Sequence, residues 1–200
     1  FGGDGNLYVC CKNSASVLRF NGQSGAFIGQ FINGMSAGLT QPWGMTFGPN
    51  GNLFIISGDD RIMEFNGVTG AFVRNFVGGL AHGEGTNLSG ARDLVFMPSG
   101  ELLVTNNLGS NITRYGNDGT FNSVFNDSFP LGAPWGITIG PNGNVFAVRT
   151  TGEIRLIEYD ISSGRYVRAF VRGDQGLSSP TTFAFRPASP HDTNGNGIPD

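Results

Sequence analysis

The sequence repeats itself four times, and this repetition constrains the fold more than any other feature. The segment Gly-Pro-Asn-Gly-Asn-Leu-Phe at 48–54 returns as Gly-Pro-Asn-Gly-Asn-Val-Phe at 140–146, with looser copies beginning at Gly2 and Met97. One glycine marks the same position in each copy, and successive ones are 46, 49 and 43 residues apart; they are Gly5, Gly51, Gly100 and Gly143. A period of this length is typical of stacked repeat architectures, in which loops absorb the differences in length.

Two further landmarks recur in the same order. The motif Pro-Trp-Gly-Met-Thr-Phe at 42–47 is matched by Pro-Trp-Gly-Ile-Thr-Ile at 134–139, and more faintly by residues 91–96 and 180–185. An aromatic pair four positions apart also recurs, as Phe27 and Phe31, Phe72 and Phe76, Phe121 and Phe125, and Tyr166 and Phe170. Each repeat therefore carries three aligned landmarks.

Each repeat is predicted to contain four short β-strands. In the second repeat we expect them at 43–47, 53–57, 61–65 and 71–77, with turn residues between them. Pro-Asn-Gly at 49–51 fits a tight hairpin because asparagine and glycine accept positive φ. The 33 glycines, 17 phenylalanines and only 14% charged residues also favour an all-β fold.

Sheets of this size cannot bury both faces alone, so the repeats are expected to stack face to face around an axis. We therefore predict an all-β fold, a β-propeller with four blades' worth of four-stranded antiparallel sheets. The aromatic pairs are expected to pack between blades, because large apolar groups are rarely left in water. An exposed ladder for sugar stacking is the alternative, and it suits Trp43 and Trp135 better than the phenylalanines.

The repeats, from Pro-Trp-Gly at 42–44 to Arg-Ile-Met-Glu-Phe-Asn at 61–66, resemble NHL-type repeats of bacterial extracellular propeller proteins. The resemblance covers residues 1–186 and implies a propeller that usually closes six blades. A typical repeat of this family has an aspartate soon after the second strand, where this chain has Cys11, Ser57, Asn106 and Arg149. The family's binding sites are therefore not carried over to these positions.

The propeller is expected over residues 1–187, with repeats at 1–46, 47–95, 96–139 and 140–185, followed by a linker at 188–200. The chain opens on the second strand of a blade and ends with a first strand at 181–185, which makes sixteen strands. Sixteen strands allow a closed four-bladed ring in which the last strand completes the first blade. The favoured expectation is an arc of a six-bladed parent, since the chain begins at Phe1 and stops at Asp200 within a loop motif.

The tail carries oxygen donors at the spacing of a calcium-binding loop. Positions one, three, five and nine are Asp192, Asn194, Asn196 and Asp200, and the backbone carbonyl of Ile198 is the position-seven ligand. The tail resembles dockerin and thrombospondin type 3 loops, which implies calcium as a cofactor. Without a position-twelve carboxylate the loop is expected to bind calcium weakly or not at all, and a flexible linker is the alternative.

The sequence shows no obvious catalytic constellation. Its two histidines, His82 and His191, lie in a loop and beside the tail, away from predicted strand ends. The longest loop, at 78–90, contains His82 and Glu84. Loops on a rigid scaffold commonly carry binding residues, although a solvated insertion is the preferred interpretation here.

Three smaller groups are given structural interpretations. Asp59, Asp60 and Arg61 are expected to cap a hairpin rather than form an acid–base site. Adjacent Cys10 and Cys11 point to opposite sides of a strand, so we expect two free and mostly buried thiols. One repeat position with alternating charge is expected to pair between neighbouring blades, and its members are Arg19, Glu64, Arg114 and Glu158.

Charge and composition limit the partners. A net charge of −3 and a single lysine, Lys12, leave no basic stripe for phosphates, so nucleic acid is not an expected partner. No apolar stretch approaches the roughly 18 residues that span a bilayer, so membrane insertion is not expected.

The sequence favours a secreted or cell-surface bacterial propeller that is not catalytic and binds protein or glycan through its loops. The absence of a catalytic constellation and the family resemblance carry this prediction. Two alternatives stay open: a metal-dependent propeller enzyme of the lactonase or lyase type, whose ligands come partly from missing blades of the parent chain, and a structural spacer of a surface protein.

Overall fold

The computed structural model describes residues 1–78, 86–126, 131–173 and 176–185, which form four antiparallel sheets, here called blades 1 to 4. Blade 1 contains β1 (Leu7–Cys11), β2 (Ser16–Phe20) and β3 (Phe27–Asn33). Blade 2 contains β4 (Met45–Phe47), β5 (Leu53–Ser57), β6 (Arg61–Phe65) and β7 (Phe72–Val77). Blade 3 contains β8 (Ala91–Phe96), β9 (Leu102–Asn106), β10 (Asn111–Tyr115) and β11 (Phe121–Val124). Blade 4 contains β12 (Pro134–Ile139), β13 (Val145–Arg149), β14 (Ile154–Tyr159) and β15 (Tyr166–Arg172).

The predicted all-β class and the partial β-propeller are confirmed. Within each blade the strands pair in chain order, as consecutive hairpins. The four strands expected in the second repeat are present, two of them with the expected bounds, and Gly51 adopts the positive φ of 77° that the hairpin requires. One helical turn, α1 (Gly34–Ala37), links blades 1 and 2. Among the described residues, no helix has the length and apolar character that crossing a bilayer needs.

The count of sixteen strands is wrong, because the described residues form fifteen and residues 181–185 are not a strand. These residues do not pair with β1, so a closed four-bladed ring is not formed by the described part of the chain. They nevertheless lie where a first strand belongs. The Phe185 ring lies 4.8 Å from that of Phe146 in blade 4, just as Phe96 of blade 3 lies 4.9 Å from Phe54 of blade 2.

The core consists of apolar layers between neighbouring blades. All five residues of β5 are buried, and successive side chains face opposite neighbours. Leu53 and Ile55 pack with Tyr8 of blade 1, whereas Phe54 and Ile56 belong to the cluster shared with blade 3. Each fully buried side chain of this size contributes about 1.5–3 kcal/mol. A similar layer joins blades 3 and 4.

The prediction that both members of each aromatic pair pack between blades is wrong for the first member. The second members Phe76 and Phe125 are buried between blades, but the first members Phe27 and Phe72 are 61% and 44% exposed. A β-bulge separates the two members, because Phe72 pairs with Phe65 while Arg74, two residues on, pairs with Glu64. The extra residue breaks the period-two alternation on which the prediction rests. The first members instead contact the end of the preceding strand in their own blade, as Phe72 does with Phe65.

The expected ion pairs between blades are also wrong. Glu64 pairs with Arg74 at 2.7 Å, and Arg114 and Glu158 likewise pair within their own blades. For Glu64 and Glu158 the cause is the same kind of bulge, which places Arg74 and Arg168 opposite them on the outer strand. Arg114 instead pairs with Glu101, just before β9. Burial alone raises the pKa of Glu64, but hydrogen bonds from Asn52, Arg74 and Asn50 together hold it below its usual value.

The predicted hairpin at residues 59–61 is confirmed, and it does more than turn the chain. Asp60 adopts a positive φ of 58° in the turn, and Arg61 donates a hydrogen bond to Asp59. Both carboxylate oxygens of Asp60 accept N–H groups of the next blade's entry, at Gly90 and Ala91. The turn therefore also ties blade 2 to blade 3.

Cys10 and Cys11 are free thiols, as predicted, but both are half-buried rather than mostly buried. Burial raises the pKa of the Cys10 thiol to about 12, and the neighbouring Cys11 adds to the shift. The Cys10 side chain packs against the core shared by blades 1 and 2. Its place in that layer gives it the behaviour of a small apolar residue rather than of a reactive nucleophile.

Candidate functional site

One repeat position gathers large side chains where the blades converge. Trp43 lies two residues before β4, Arg92 is the second residue of β8, and Trp135 is the second residue of β12. These three strands are the first of their blades, and β8 contacts both β4 and β12. Because the blades are arranged around a common axis, residues at equivalent positions of neighbouring first strands approach one another.

The two tryptophans and two cations form a compact group. The rings of Trp43 and Trp135 meet edge to face with centroids 5.8 Å apart. The guanidinium carbon of Arg92 lies 4.2 Å from the Trp43 centroid and 5.3 Å from the Trp135 centroid. The ammonium of Lys12, from the turn after β1, lies 4.0 Å from the Trp43 centroid. We call Lys12, Trp43, Arg92 and Trp135 the axial cluster, in which both cations engage a ring.

Backbone and buried polar contacts hold the cluster in place. The Trp43 N–H donates to the carbonyl of Ile56 on the neighbouring strand. The hydroxyl of Thr105, which is fully buried, donates to the carbonyl of Trp135 at 2.6 Å. Gly44 is needed beside Trp43, since a Cβ there would come within 2.7 Å of the Arg92 carbonyl oxygen. The cluster is therefore positioned by strands rather than by long loops.

Asp93 lies beneath the cluster and links two blades. One carboxylate oxygen accepts the N–H of Ile137 in blade 4, and the other accepts the N–H of Leu94. Burial raises the pKa of this carboxyl group to about 6, against the lowering effect of those two hydrogen bonds. Both carboxylate oxygens of Asp93 thus accept hydrogen bonds from backbone N–H groups.

Arg92 keeps donors that the described residues leave unpaired. Its Nη1 donates to the carbonyl of Ala91, but its Nε is buried without a hydrogen-bond partner. The four ion pairs found within the described ranges do not include Arg92 or Lys12. Burial lowers the pKa of Arg92, and the charge of Asp60 opposes that shift. A guanidinium that lies in the wall of an opening and forms no ion pair within the described ranges is suited to an anionic group.

The cluster borders a shallow hollow of about 250 Å³, whose wall also includes Asp93, Thr181 and Thr182. Pockets for whole small molecules measure about 300–1,000 Å³. This hollow is therefore matched to one ring or one side chain. Both tryptophans are half-buried, with Trp43 packed against the core shared by blades 2 and 3 and Trp135 against that of blade 4.

The outcomes for the predicted site residues differ. Trp43 and Trp135 both pack against core clusters, as the sequence favoured, and both also make the ring and cation contacts of the axial cluster. Arg92 and Lys12 were not identified from the sequence, although Arg92 stands at the tryptophan position of the third repeat. The predicted calcium ligands lie outside the described residues; they are Asp192, Asn194, Asn196, Ile198 and Asp200. The two histidines and Glu84 also lie outside the described residues. In the described ranges no three histidine, cysteine, aspartate or glutamate side chains gather as metal ligands do.

Comparison with known proteins identifies the fold class. No family model and no curated protein matches the sequence. Among solved structures, catalytically inactive virginiamycin B lyase from Staphylococcus aureus with quinupristin is 20% identical, with a TM-score of 0.61 over 81% of this chain and 51% of that one. A chain of the nidogen/laminin complex is 14% identical, with a TM-score of 0.70 over 88% of this chain and 64% of that one. A candidate gluconolactonase is 17% identical, with a TM-score of 0.58 over 81% of this chain and 62% of that one.

These neighbours are β-propeller proteins that include enzymes and binding domains. At such low identity the likeness establishes the fold alone. The chain spans between 51% and 64% of the length of these three structures.

Proposed function

We propose that this chain is a propeller binding module that is not catalytic and takes its ligand, a protein or a glycan, at the end of the blades where the axial cluster lies. The observation that carries the proposal is the row of Trp43, Arg92 and Trp135, which lie at or just before the starts of three consecutive first strands. Half-buried aromatic rings beside a guanidinium that forms no ion pair in the described part of the chain are characteristic of recognition surfaces. The predicted loop-based site is thus refined to one defined by the strand entries.

Several finer features belong to this proposal. The repeats support an NHL-type propeller, which usually closes six blades. The tail at 192–200 supports a calcium-stabilised connection to further domains, and both resemblances support a secreted or cell-surface location in a bacterium. They describe a module displayed outside the cell.

The test is binding of the chain to an immobilised panel of glycans and extracellular proteins. The proposal predicts specific hits that weaken by about tenfold or more when Trp135 is replaced by alanine, since a central aromatic contact typically contributes about 2 kcal/mol or more. Val68→Ala is the matched control, because Val68 is an exposed residue in the turn between β6 and β7. If the chain bound none of the glycans and none of the proteins, the binding function would be contradicted and the role of a structural spacer would remain.

A second candidate is a propeller enzyme of the lyase or lactonase type, and Asp93 is the observation that favours it. A carboxyl group with its pKa raised to about 6 beside an open hollow has the protonation behaviour of a general acid or base. The further ligands or catalytic groups would come from blades outside this chain. Turnover of a lactone or cyclic ester that is lost in Asp93→Asn, with the fold retained, would support this candidate over simple binding.

A further inference from the structure

We propose that the ligand of the axial cluster is an acidic sugar, a uronate residue of a polysaccharide; this inference rests on the proposed binding function. The hollow beside the cluster holds about 250 Å³, which fits a single sugar ring. In its wall, a guanidinium is suited to a carboxylate, and indole surface is suited to the C–H face of a sugar. Two threonines are suited to the hydroxyl groups of the sugar.

Two cations favour an anion here: Arg92 lies in the wall of the hollow, and Lys12 contacts the Trp43 ring from outside that wall. Lys12 and Arg92 both stand over the Trp43 ring, at 4.0 and 4.2 Å from its centroid. Asp93 also lies in the wall, and its two oxygens accept the N–H groups of Leu94 and Ile137. Asp60, whose charge acts on Arg92, accepts those of Gly90 and Ala91. Within the described ranges, neither carboxylate forms an ion pair with Arg92 or Lys12. Two of the twelve basic residues thus share one ring in a chain whose formal charge is −3. Attraction for an anion at this point is local rather than a property of the whole surface.

The aromatic surfaces of the hollow decide between ligand classes. Because cations already cover the Trp43 ring, it is not an open platform for a neutral sugar, and a ligand must engage the cations to approach it. Trp135 lies farther from the guanidinium, at 5.3 Å, and borders the hollow together with the exposed Thr181 and Thr182. An acidic peptide side chain would use Arg92 and leave this part of the hollow empty. A uronate residue uses all of it.

The experiment compares oligogalacturonate with its methyl ester by isothermal titration calorimetry against the full chain. The ester keeps the sugar ring and removes the charge. We expect the acid to bind at least about tenfold more tightly, because a charged hydrogen-bonded pair contributes roughly 1.5–3 kcal/mol and 1.4 kcal/mol is a factor of ten. Arg92→Gln should reduce the affinity for the acid by about the same factor.

Arg168→Gln is the matched control. Arg168 also stands over an aromatic ring, with its guanidinium carbon 4.9 Å from the Phe170 centroid, but it lies on the outer strand β15. The glutamine amide retains a donor for Glu158, so the blade keeps its polar contact. This variant should bind the acid like the wild type. Lys12→Gln, at an exposed turn, should weaken binding and provides the test if Arg92→Gln does not fold.

Several outcomes would overturn the inference. Equal affinities for the acid and its ester would remove the role of charge, and an unchanged affinity in Arg92→Gln and Lys12→Gln would place the site elsewhere. Tighter binding of a polyglutamate peptide would make the ligand a protein. In each case the chain is still a binding module, but an unchanged affinity in both variants would remove the axial cluster as its site. Failure of the acid, the ester and the wider panel of glycans and proteins would remove both proposals.

Discussion

Gly119 of blade 3 lies directly against the backbone carbonyl of Phe76 in blade 2, so closely that a Cβ at residue 119 would overlap the oxygen. The same approach recurs at Gly70 against Phe31 and at Gly164 against Phe125. In blades 2, 3 and 4 the glycine of the outer hairpin is thus the point where the blade meets the backbone of the preceding blade, whereas Gly25 of blade 1 has no described atom within 4 Å of its missing Cβ. Repetition of this contact explains why the glycine before each aromatic pair is part of the repeat.

Gly119→Ala should therefore destabilise the protein by about 2–3 kcal/mol, through left-handed backbone strain of about 1–2 kcal/mol and displacement of the neighbouring blade. Gly100→Ala is the matched control, because Gly100 has a similar φ, 88° against 92°, and open space around its missing Cβ. The control should lose only the strain. Urea denaturation of both variants measures the difference, and equal losses would show that the blade contact has no energetic weight.

The bulge in the outer strands predicts that the two aromatic residues of one strand differ in importance. Phe76 is 5% exposed between blades 2 and 3, whereas Phe72 is 44% exposed on the rim. Phe76→Ala should cost about 3–5 kcal/mol, and Phe72→Ala should cost about 1 kcal/mol or less. Thermal and urea unfolding of the pair provide the comparison. A larger loss for Phe72→Ala would restore the interpretation that both members pack between blades.

Asp93 should give the folded protein an unusual dependence on pH. The ordinary pKa of an aspartate side chain is 3.8, whereas burial raises that of Asp93 to about 6 in the folded chain. Between these values the folded state binds more protons than the unfolded state, so this group makes stability fall as pH rises from about 4 to about 6. The full effect is on the order of 3 kcal/mol, at 1.36 kcal/mol per pKa unit.

Glu64 provides the opposite control. Its pKa is lowered in the folded state, so its contribution to stability is present above its usual value and is lost as the pH falls. Denaturation of the wild type, Asp93→Asn and Glu64→Gln from pH 3.5 to pH 7 should show slopes that change in opposite directions. Parallel curves for the wild type and Asp93→Asn would contradict the burial of that carboxyl group.

Thr105 is predicted to support Trp135 through a single hydroxyl. This hydroxyl accepts the N–H of Asp93 and donates to the carbonyl of Trp135 in the next blade. Thr105→Val keeps the shape but leaves buried polar groups unpaired, which should cost about 1–3 kcal/mol. Thr105→Ser keeps the hydroxyl and should cost less. If both variants lose the same stability, the methyl group rather than the hydrogen bond is what matters at this position.

The strands and their order were predictable because they follow from local patterns. Pro-Asn-Gly at 49–51 fixes a hairpin, and a short continuous apolar run between turn residues, such as the first four residues of β5, indicates a strand that is buried on both faces. The period of the repeat then implies face-to-face packing. Every one of these inferences uses residues close together in sequence or a regular spacing.

The bulges and the axial cluster were not predictable in the same way. A bulge adds one residue to a strand, and nothing in the spacing of Phe72 and Phe76 shows that the register shifts at Val73 and again at Phe76. Arg92 occupies the position that holds tryptophan in the second and fourth repeats. Because an arginine does not resemble a tryptophan, only the alignment of the first strands shows that Arg92 lies beside Trp43 and Trp135. The contact of Trp43 with Trp135 depends on how tightly the blades curve, which no local pattern encodes.

The contact between Trp43 and Trp135 is the feature on which the binding account depends, and NMR can test it directly. The chain has two tryptophans, so their indole signals are a single pair without overlap from others. The account predicts a nuclear Overhauser effect between the two rings in the folded protein, lost in a variant that unfolds. A folded protein with well-resolved indole signals and no such effect would contradict the axial cluster.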